Sequence, residues 1–278
     1  MKKFFQVIFV LALSCFSFYY TEKAIYWVSL QDPIMKEIKK NKKDYEKESL
    51  NAQISDNEIV PGVSGKQVDE IKSFKKMKQY GEYNDSLYVF NEDKPKVSIK
   101  GNYDRYVTSA SSTKKSVALI FTIDRSTNPE DILNILKEED VLATFFIDGL
   151  WIENNVSITK KIIDRGHEVE VLSYNGTYDD VYFPNSLSIL NSLTGKKVKY
   201  CYSSYKNKDL LSLCSKLSLY TIVPTIEVNS DSYIMVKSKI SNGSLISLTN
   251  SSKQLSMSIK YIKQKGYKLE TVADILTE

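Results

Sequence analysis

The 278-residue chain contains a single histidine, His167. A metal centre built on two imidazoles is therefore excluded, wherever in the sequence its motif is sought. Cysteine is scarce as well. Cys15 lies in an apolar N-terminal run, and the spacing of Cys15, Cys201 and Cys214 matches no zinc pattern. Cys201 and Cys214 are placed either to pair as a strand-to-helix disulfide, which the outside of a cell permits, or to stay as two buried thiols. The second reading is preferred, because free cysteine behaves as a small buried hydrophobe. Charge of one sign is also in short supply. Lys and Arg number 38 against 34 Asp and Glu, a formal balance of +4, part of which is Lys2 and Lys3. So small and mixed an excess argues against a nucleic-acid binder. No internal repeat is visible.

What is present begins at the N-terminus. Lys2 and Lys3 precede an uncharged apolar run, Phe4–Tyr20, the pattern of an export signal or a signal anchor. Ala24–Val28 adds the aromatic pair Tyr26 and Trp27, suited to a membrane interface. No small-x-small cleavage site stands out, so residues 1–28 are read as an uncleaved anchor with the lysines inside and the bulk of the chain outside. If the signal is cleaved, the protein is secreted. Residues 29–51 carry a run of lysines and acids within a predicted helix, Pro33–Asn51, read as a charged stalk with a solvated face. Residues 52–114 read as a small subdomain and linker. It holds a short helix over Val68–Met77 and strand-like segments at Ser86–Phe90 and Val97–Ile99, with Thr108–Lys115 as the linker.

From residue 115 to 278, strands alternate with helices. Ser116–Ile123 is a buried apolar strand, Asn128-Pro129 starts a helix, and Val141–Ile147 is the next strand. A helix through Ile158 and Ile162 stops at Gly166, and His167–Leu172 is a third strand. Lys197–Tyr202, Leu219–Val223, Ile226–Val228 and Ser244–Thr249 continue the pattern, with helices between and after them. Repeated β-α units imply a mostly parallel sheet flanked by helices, open or closed into a barrel.

The order of particular segments is more specific. Val117–Phe121 runs into Thr122-Ile123-Asp124. Ile132–Lys137 is followed by Val141–Gly149. Gly166-His167-Glu168 closes a helix, Leu172-Ser173-Tyr174-Asn175-Gly176 follows the third strand, and Gly243–Thr249 and Gly266–Leu269 come late. This series resembles the NodB-homology polysaccharide deacetylase family, most clearly before Tyr178. The resemblance implies an α/β fold, a distorted (β/α) barrel of the polysaccharide deacetylase type, here with a small N-terminal extension and an N-terminal membrane anchor. In active members it implies metal-dependent removal of acetyl groups from N-acetylated glycans, with an Asp base, an Asp-His-His metal site and a late His acid.

Each of those positions is replaced here. Thr122 stands for the base, Ile123 for the metal aspartate, Leu172 and Gly176 for the two metal histidines, and Thr249 for the late histidine. The family's Arg-Pro motif becomes Cys201-Tyr202-Ser203-Ser204. A hydroxyl is a far weaker base than a carboxylate, and Ile, Leu and Gly side chains offer no lone pair to a metal. His167 belongs to the Gly-His-Glu turn and reads as structural. Asp124, one residue past the metal-aspartate position, reads as a turn residue, a relic acid or a polar ligand contact. Asp148 reads as a loop carboxylate near a strand end. Tyr174, Tyr178, Tyr182, Tyr202 and Tyr205 fall on loops that cluster at the mouth of a β/α barrel, where aromatic faces and hydroxyls suit sugar rings. All of these but Tyr182, with Asp124 and Asp148, form the candidate ligand groove.

The expectation is a membrane-anchored, single-pass, cell-surface deacetylase-like protein that leans away from catalysis. It would bind cell-wall glycan or a wall-enzyme partner, touch the membrane through residues 4–20, and need no cofactor. Two alternatives stay open: a C–N hydrolase working by a non-standard site, with zinc or another divalent metal, and a purely structural module. The Lys-, Asn- and Ile-rich usage hints at an AT-rich bacterial genome.

Overall fold

The computed structural model describes residues 2–228, 231–248 and 252–278. Its strands are β1 (Gln53–Ser55), β2 (Glu58–Val60), β3 (Gly65–Val68), β4 (Phe90–Asp93), β5 (Tyr106–Val107), β6 (Ser116–Ile123), β7 (Thr144–Ile147), β8 (Glu168–Val171), β9 (Tyr200–Tyr202), β10 (Tyr220–Ile222), β11 (Ile226–Val228), β12 (Leu245–Leu248) and β13 (Lys268–Glu270). Its helices are α1 (Lys2–Ser29), α2 (Pro33–Asn41), α3 (Glu70–Tyr80), α4 (Glu130–Glu138), α5 (Gly149–Asn154), α6 (Val156–Asp164), α7 (Phe183–Thr194), α8 (Lys208–Lys216), α9 (Ser232–Lys239), α10 (Ser252–Gln264) and α11 (Val272–Ile275).

Two compact units result. One comprises residues 1–50 and 64–94, the other residues 51–63 and 95–278. In the first, α1 contains a stretch, Gln6–Ser29, long and apolar enough to cross a membrane or act as a signal. The charged segment after it is not a bare stalk. Asp32 caps α2 by accepting from the Ile34 N–H and pairs with Lys78 at 2.6 Å. Ile34, Met35 and Ile38 are buried with Val68, Met77 and Tyr88. The lysine-rich composition of this stretch concealed an apolar face at helical spacing. The expected helix over Pro33–Asn51 accordingly stops at Asn41.

The second unit is built on a sheet in the order β1-β2-β5-β10-β9-β8-β7-β6-β12-β11, with β13 also pairing with β6. Every pairing is parallel except β1 with β2. The sheet curls into a half-barrel. Strand alternation divides its side chains cleanly. Val117, Leu119, Phe121 and Ile123 of β6, with Phe145, Ile147, Val169 and Val171, face the helices. Ala118, Ile120, Phe146, Tyr200, Tyr202, Ile222 and Leu245 face the hollow, where Val272 and Ile275 of α11 pack against them. The Val272 N–H donates to Thr144 Oγ1 and the Ala273 N–H to Glu168 Oε2, at 2.8 and 3.1 Å, fixing α11 beneath the strand N-termini.

Three sequence expectations are corrected in this unit. Residues 51–63 and 95–114 do not form a separate subdomain with 64–94: β1, β2 and β5 extend the main sheet beyond β10. Thr108–Lys115 is not a free linker. Ala110 is buried, and its N–H donates to the Gly243 carbonyl at 2.9 Å. Gly243 has φ +78° and lies so close to the Ala110 backbone that a Cβ would meet it, so only glycine fits there. Finally, Cys201 on β9 and Cys214 on α8 form a disulfide, not two thiols. Both lie in the helix-side core, where strand and helix bring them together.

Candidate functional site

The positions that resemble the deacetylase centre lie at the C-terminal ends of β6 and β8. Ile123, fully buried, pairs in register with Ile147 and packs in the helix-side core. Thr122, half-buried, alternates to the other face of the strand. Leu172 is buried in the hollow, in one cluster with Phe146 and Tyr202, and the rings of those two lie 5.3 Å apart. Gly176 sits in a turn at φ +73°. Thr249 lies outside the described residues.

The metal of active deacetylases does not fit this donor set. Two of the positions are carbon packed against carbon, and the third has no side chain. Among the described residues, no three His, Cys, Asp or Glu side chains are grouped to hold a metal ion.

Asp148 is not the solvated loop acid expected from sequence. It is 1 % exposed and sits beneath the 172–176 turn. Its Oδ1 accepts from the N–H groups of Leu150 and Trp151, capping α5, at 3.0 and 3.2 Å. Its Oδ2 accepts from Ser173 Oγ at 2.5 Å and from the Gly176 N–H at 2.9 Å. All four bonds go to the protein itself, so this carboxylate ties the turn to the helix and is not free for a ligand.

Tyr202 also departs from expectation. It belongs to β9 and is buried, its hydroxyl donating to Glu227 Oε2 at 2.7 Å and lying 2.8 Å from Ser247 Oγ. Burial pushes the Tyr202 phenol up, and it pushes the Glu227 carboxyl up despite the Tyr202 and Ser247 hydrogen bonds. Glu227 and Ser247 were not singled out in the sequence. The signal was there: each is a polar residue with apolar neighbours on both sides in a short strand, which points it into the hollow.

Asp124 is exposed and makes a tight turn. Its Oδ1 accepts from the Ser126 N–H, Ser126 Oγ and Thr127 Oγ1 at 2.9, 2.7 and 2.9 Å. Burial opposes its ionisation, but these donors outweigh that and hold its carboxyl below the ordinary value.

The other tyrosines form a ledge. Tyr174 and Tyr182 stack with ring centres 5.7 Å apart and planes 17° from parallel. Tyr178, Tyr182 and Tyr205 are exposed. Tyr178 lies close enough to Asp148, Tyr202 and Tyr205 to share electrostatic interactions with all three. The ledge therefore adjoins the replaced metal positions.

His167 is at the opposite end of the sheet. It is buried, its ring edge-on to Phe145, and its Nδ1 accepts from the Ala143 N–H at 3.3 Å.

Comparison with known proteins follows this geometry. A polysaccharide deacetylase family model matches residues 109–175. YlxY of Bacillus subtilis (strain 168), an uncharacterised protein, is 27 % identical over 270 residues, spanning 89 % of this chain and 85 % of YlxY. Wild-type BA3943 from Bacillus anthracis, described as a CE4 family pseudoenzyme, superposes with a TM-score of 0.68 at 25 % identity, over 89 % of this chain and 96 % of that one. A BA3943 mutant described as having restored enzymatic activity gives the same TM-score and identity. A family 4 carbohydrate esterase from Bacillus anthracis shares the fold, with a TM-score of 0.53 at 21 % identity over 62 % of this chain and 86 % of its own.

Proposed function

Since the chain carries a polysaccharide deacetylase domain, a degenerate one of NodB type, we propose a function without deacetylation. The protein is a catalytically silent, membrane-anchored surface protein that holds N-acetylated cell-wall glycan on its tyrosine ledge. The carrying observation is the pairing of two features. Carbon fills the metal positions at Ile123 and Leu172, while Tyr174, Tyr178, Tyr182 and Tyr205 offer aromatic faces beside them. Aromatic rings stack on the apolar faces of sugars and need no metal.

The BA3943 pair supports the silent reading. In that protein, wild type is described as a pseudoenzyme and mutation brought activity back. A deacetylase scaffold can thus persist with its chemistry removed. The α1 span supports the anchor by length and composition, and no cofactor is needed. A wall enzyme is the other occupant the ledge would suit.

The test uses the full chain in detergent, incubated with insoluble peptidoglycan. Tyr174→Ala and Tyr205→Ala are each expected to lower retention about fivefold or more, a loss of about 1 kcal/mol per aromatic contact. Wild type that is not retained would favour a structural module. Stoichiometric zinc, cobalt or nickel, lost on Asp124→Ala, would instead point to a hydrolase with a non-standard site.

A further inference from the structure

An open recess of about 720 Å³ lies between the segments that follow β6 and β7, against the starts of α4 and α6. Trp151 forms part of its wall. That residue is only 6 % exposed. Its indole N–H has no hydrogen-bond partner among the described residues, yet it is not sealed off from solvent. Because so little of Trp151 is accessible, and the residue lines the recess, the N–H opens into it. A nearly buried donor is thus left without an acceptor on the recess wall.

The charges around it point the same way. Arg125 lines the recess and makes no ion pair or hydrogen bond among the described residues. Glu130 is the one acid in the lining among the described residues, and Lys161 holds both its carboxylate oxygens, at 2.8 and 2.5 Å. Two helix starts add positive partial charge. α4 and α6 have nine residues each, and neither Pro129 nor Asn155 caps its helix with a side chain. Asn155 is turned away, its Nδ2 donating to the Trp151 carbonyl at 2.9 Å. The first-turn N–H groups of α6 therefore have no side-chain acceptor, and Asn155 and Ile158 of that turn line the recess. Glu130 and Asp131 offset the start of α4, so α6 is the stronger of the two ends.

A guanidinium, an indole N–H and an uncapped helix start thus line one recess, with its single acid already paired. A cation would meet the guanidinium and the helix end, and a neutral group would gain no charge-assisted bond. The recess also flanks the tyrosine ledge. Tyr174 lies against Gly149, where a Cβ would meet its ring, and its hydroxyl donates to Glu153 at 3.3 Å. Leu150 and Asn154, on the neighbouring face of the same helix, line the recess. Ledge and recess are therefore about 10 Å apart, one helix diameter. We propose that the recess is an oxyanion site, and that it takes the carboxylate or phosphate group of an acidic wall glycan whose neighbouring sugar lies on Tyr174. The second half of this proposal rests on the glycan reading of the ledge.

The chain has two tryptophans, so Trp27→Phe leaves Trp151 as the sole indole fluorophore. Its emission is followed in the full chain in detergent as N-acetylmuramic acid, N-acetylglucosamine or inorganic phosphate is added. N-acetylmuramic acid, which carries a carboxylate, is expected to shift the emission saturably and to bind at least tenfold more tightly than N-acetylglucosamine, which lacks one. Arg125→Gln is expected to weaken N-acetylmuramic acid tenfold or more and to leave N-acetylglucosamine unchanged, with Arg125→Lys recovering part of the loss. Phosphate that binds more tightly than N-acetylmuramic acid would assign the group as a phosphate, and phosphate that binds more weakly would assign it as a carboxylate. Equal binding of the two sugars, or an unmoved Trp151 emission, would overturn the oxyanion site even if the full chain is retained on peptidoglycan. A Trp151 response to anions in a chain that peptidoglycan does not retain would instead overturn the ledge, and with it the glycan as the source of the anion, while the oxyanion site stands.

Discussion

The replaced metal positions at one end of the sheet and the buried acids at the other treat polar groups in opposite ways. At the C-terminal ends of β6 and β8, positions that would have to bind a metal hold Ile123 and Leu172, each packed against carbon. At the N-terminal ends of β7, β8 and β9, His167, Glu168 and Glu170 remain under cover. The strands and their alternation are the same, so the fold does not force the difference. What differs is compensation. Glu170 receives two backbone N–H groups, and Glu168 receives one together with the Thr144 hydroxyl. Without a cation, an aspartate or histidine at the other end would be an unpaired buried group, and apolar replacement removes that cost.

Ile123→Asp tests this most severely. It returns a carboxylate to the metal-aspartate position, but into the helix-side core. A loss of about 4 kcal/mol in unfolding free energy is expected, in the range for an uncompensated buried charge. Urea denaturation at neutral pH measures it. A loss below about 1 kcal/mol would mean that this end of the sheet tolerates charge as well as the other, and the comparison would fail.

The opposite end is tested by pH. The pKa of His167 is depressed in the fold to about 4 from an ordinary 6.5. The unfolded chain therefore binds the extra proton first. The contribution of His167 is present above pH 6.5 and is lost as pH falls towards 4, about 3 kcal/mol in all. Glu168 and Glu170 have raised values and act in the opposite sense. Their contribution is present below about 4.5 and is lost as pH rises through their folded values. His167→Asn separates the two trends. Between pH 6.5 and 4 its stability should fall less steeply than that of wild type, and parallel curves would refute the assignment.

Much of the sheet was legible in the sequence because its period is strong. Ser116–Ile123 reads as a strand from its unbroken apolar run, and it is β6 to the residue. The replaced centre was legible for a chemical reason: side chains without lone pairs cannot ligate in any fold. Satisfaction was not legible. Asp148 looks like a solvated loop acid until Ser173 and Gly176 are seen to donate to it from 25 and 28 residues away. Tyr202 looks like a mouth residue until Glu227 and Ser247 are seen to meet its hydroxyl from other strands. Both depend on long-range pairing, which local pattern does not encode. The apolar face of α2 was hidden differently, because Ile34, Met35 and Ile38 are outnumbered by charges in the same stretch.

Tyr202→Phe sharpens the comparison from the inside of the hollow. It keeps the ring against Phe146 and removes the hydroxyl from Glu227 and Ser247. A loss of about 1 to 2 kcal/mol is expected, the cost of a half-buried acceptor deprived of a partner. Because the lost bond favours the ionised carboxylate, the pKa of Glu227 should rise further, visible by carbon-detected NMR titration of its carboxyl. An unchanged stability and titration would show that water already serves Glu227, and that this part of the hollow is wetter than its packing indicates.

Asp124→Ala is expected to have the smallest effect, and for that reason it discriminates best between a relic acid and a turn residue. The Asp124 carboxylate is exposed, and every donor it meets lies two or three residues along the chain. Its lowered pKa places its contribution above the ordinary carboxylate value, to be lost only as pH falls through the depressed one. Removal should cost about 0.5 kcal/mol at neutral pH, as for a solvent-facing turn, with glycan retention unchanged and the deficit disappearing in strong acid. If retention on peptidoglycan fell as far as it does for Tyr174→Ala, Asp124 would be part of the ligand surface. The functional mouth would then extend from the tyrosine ledge across the end of β6, with a carboxylate among its contacts.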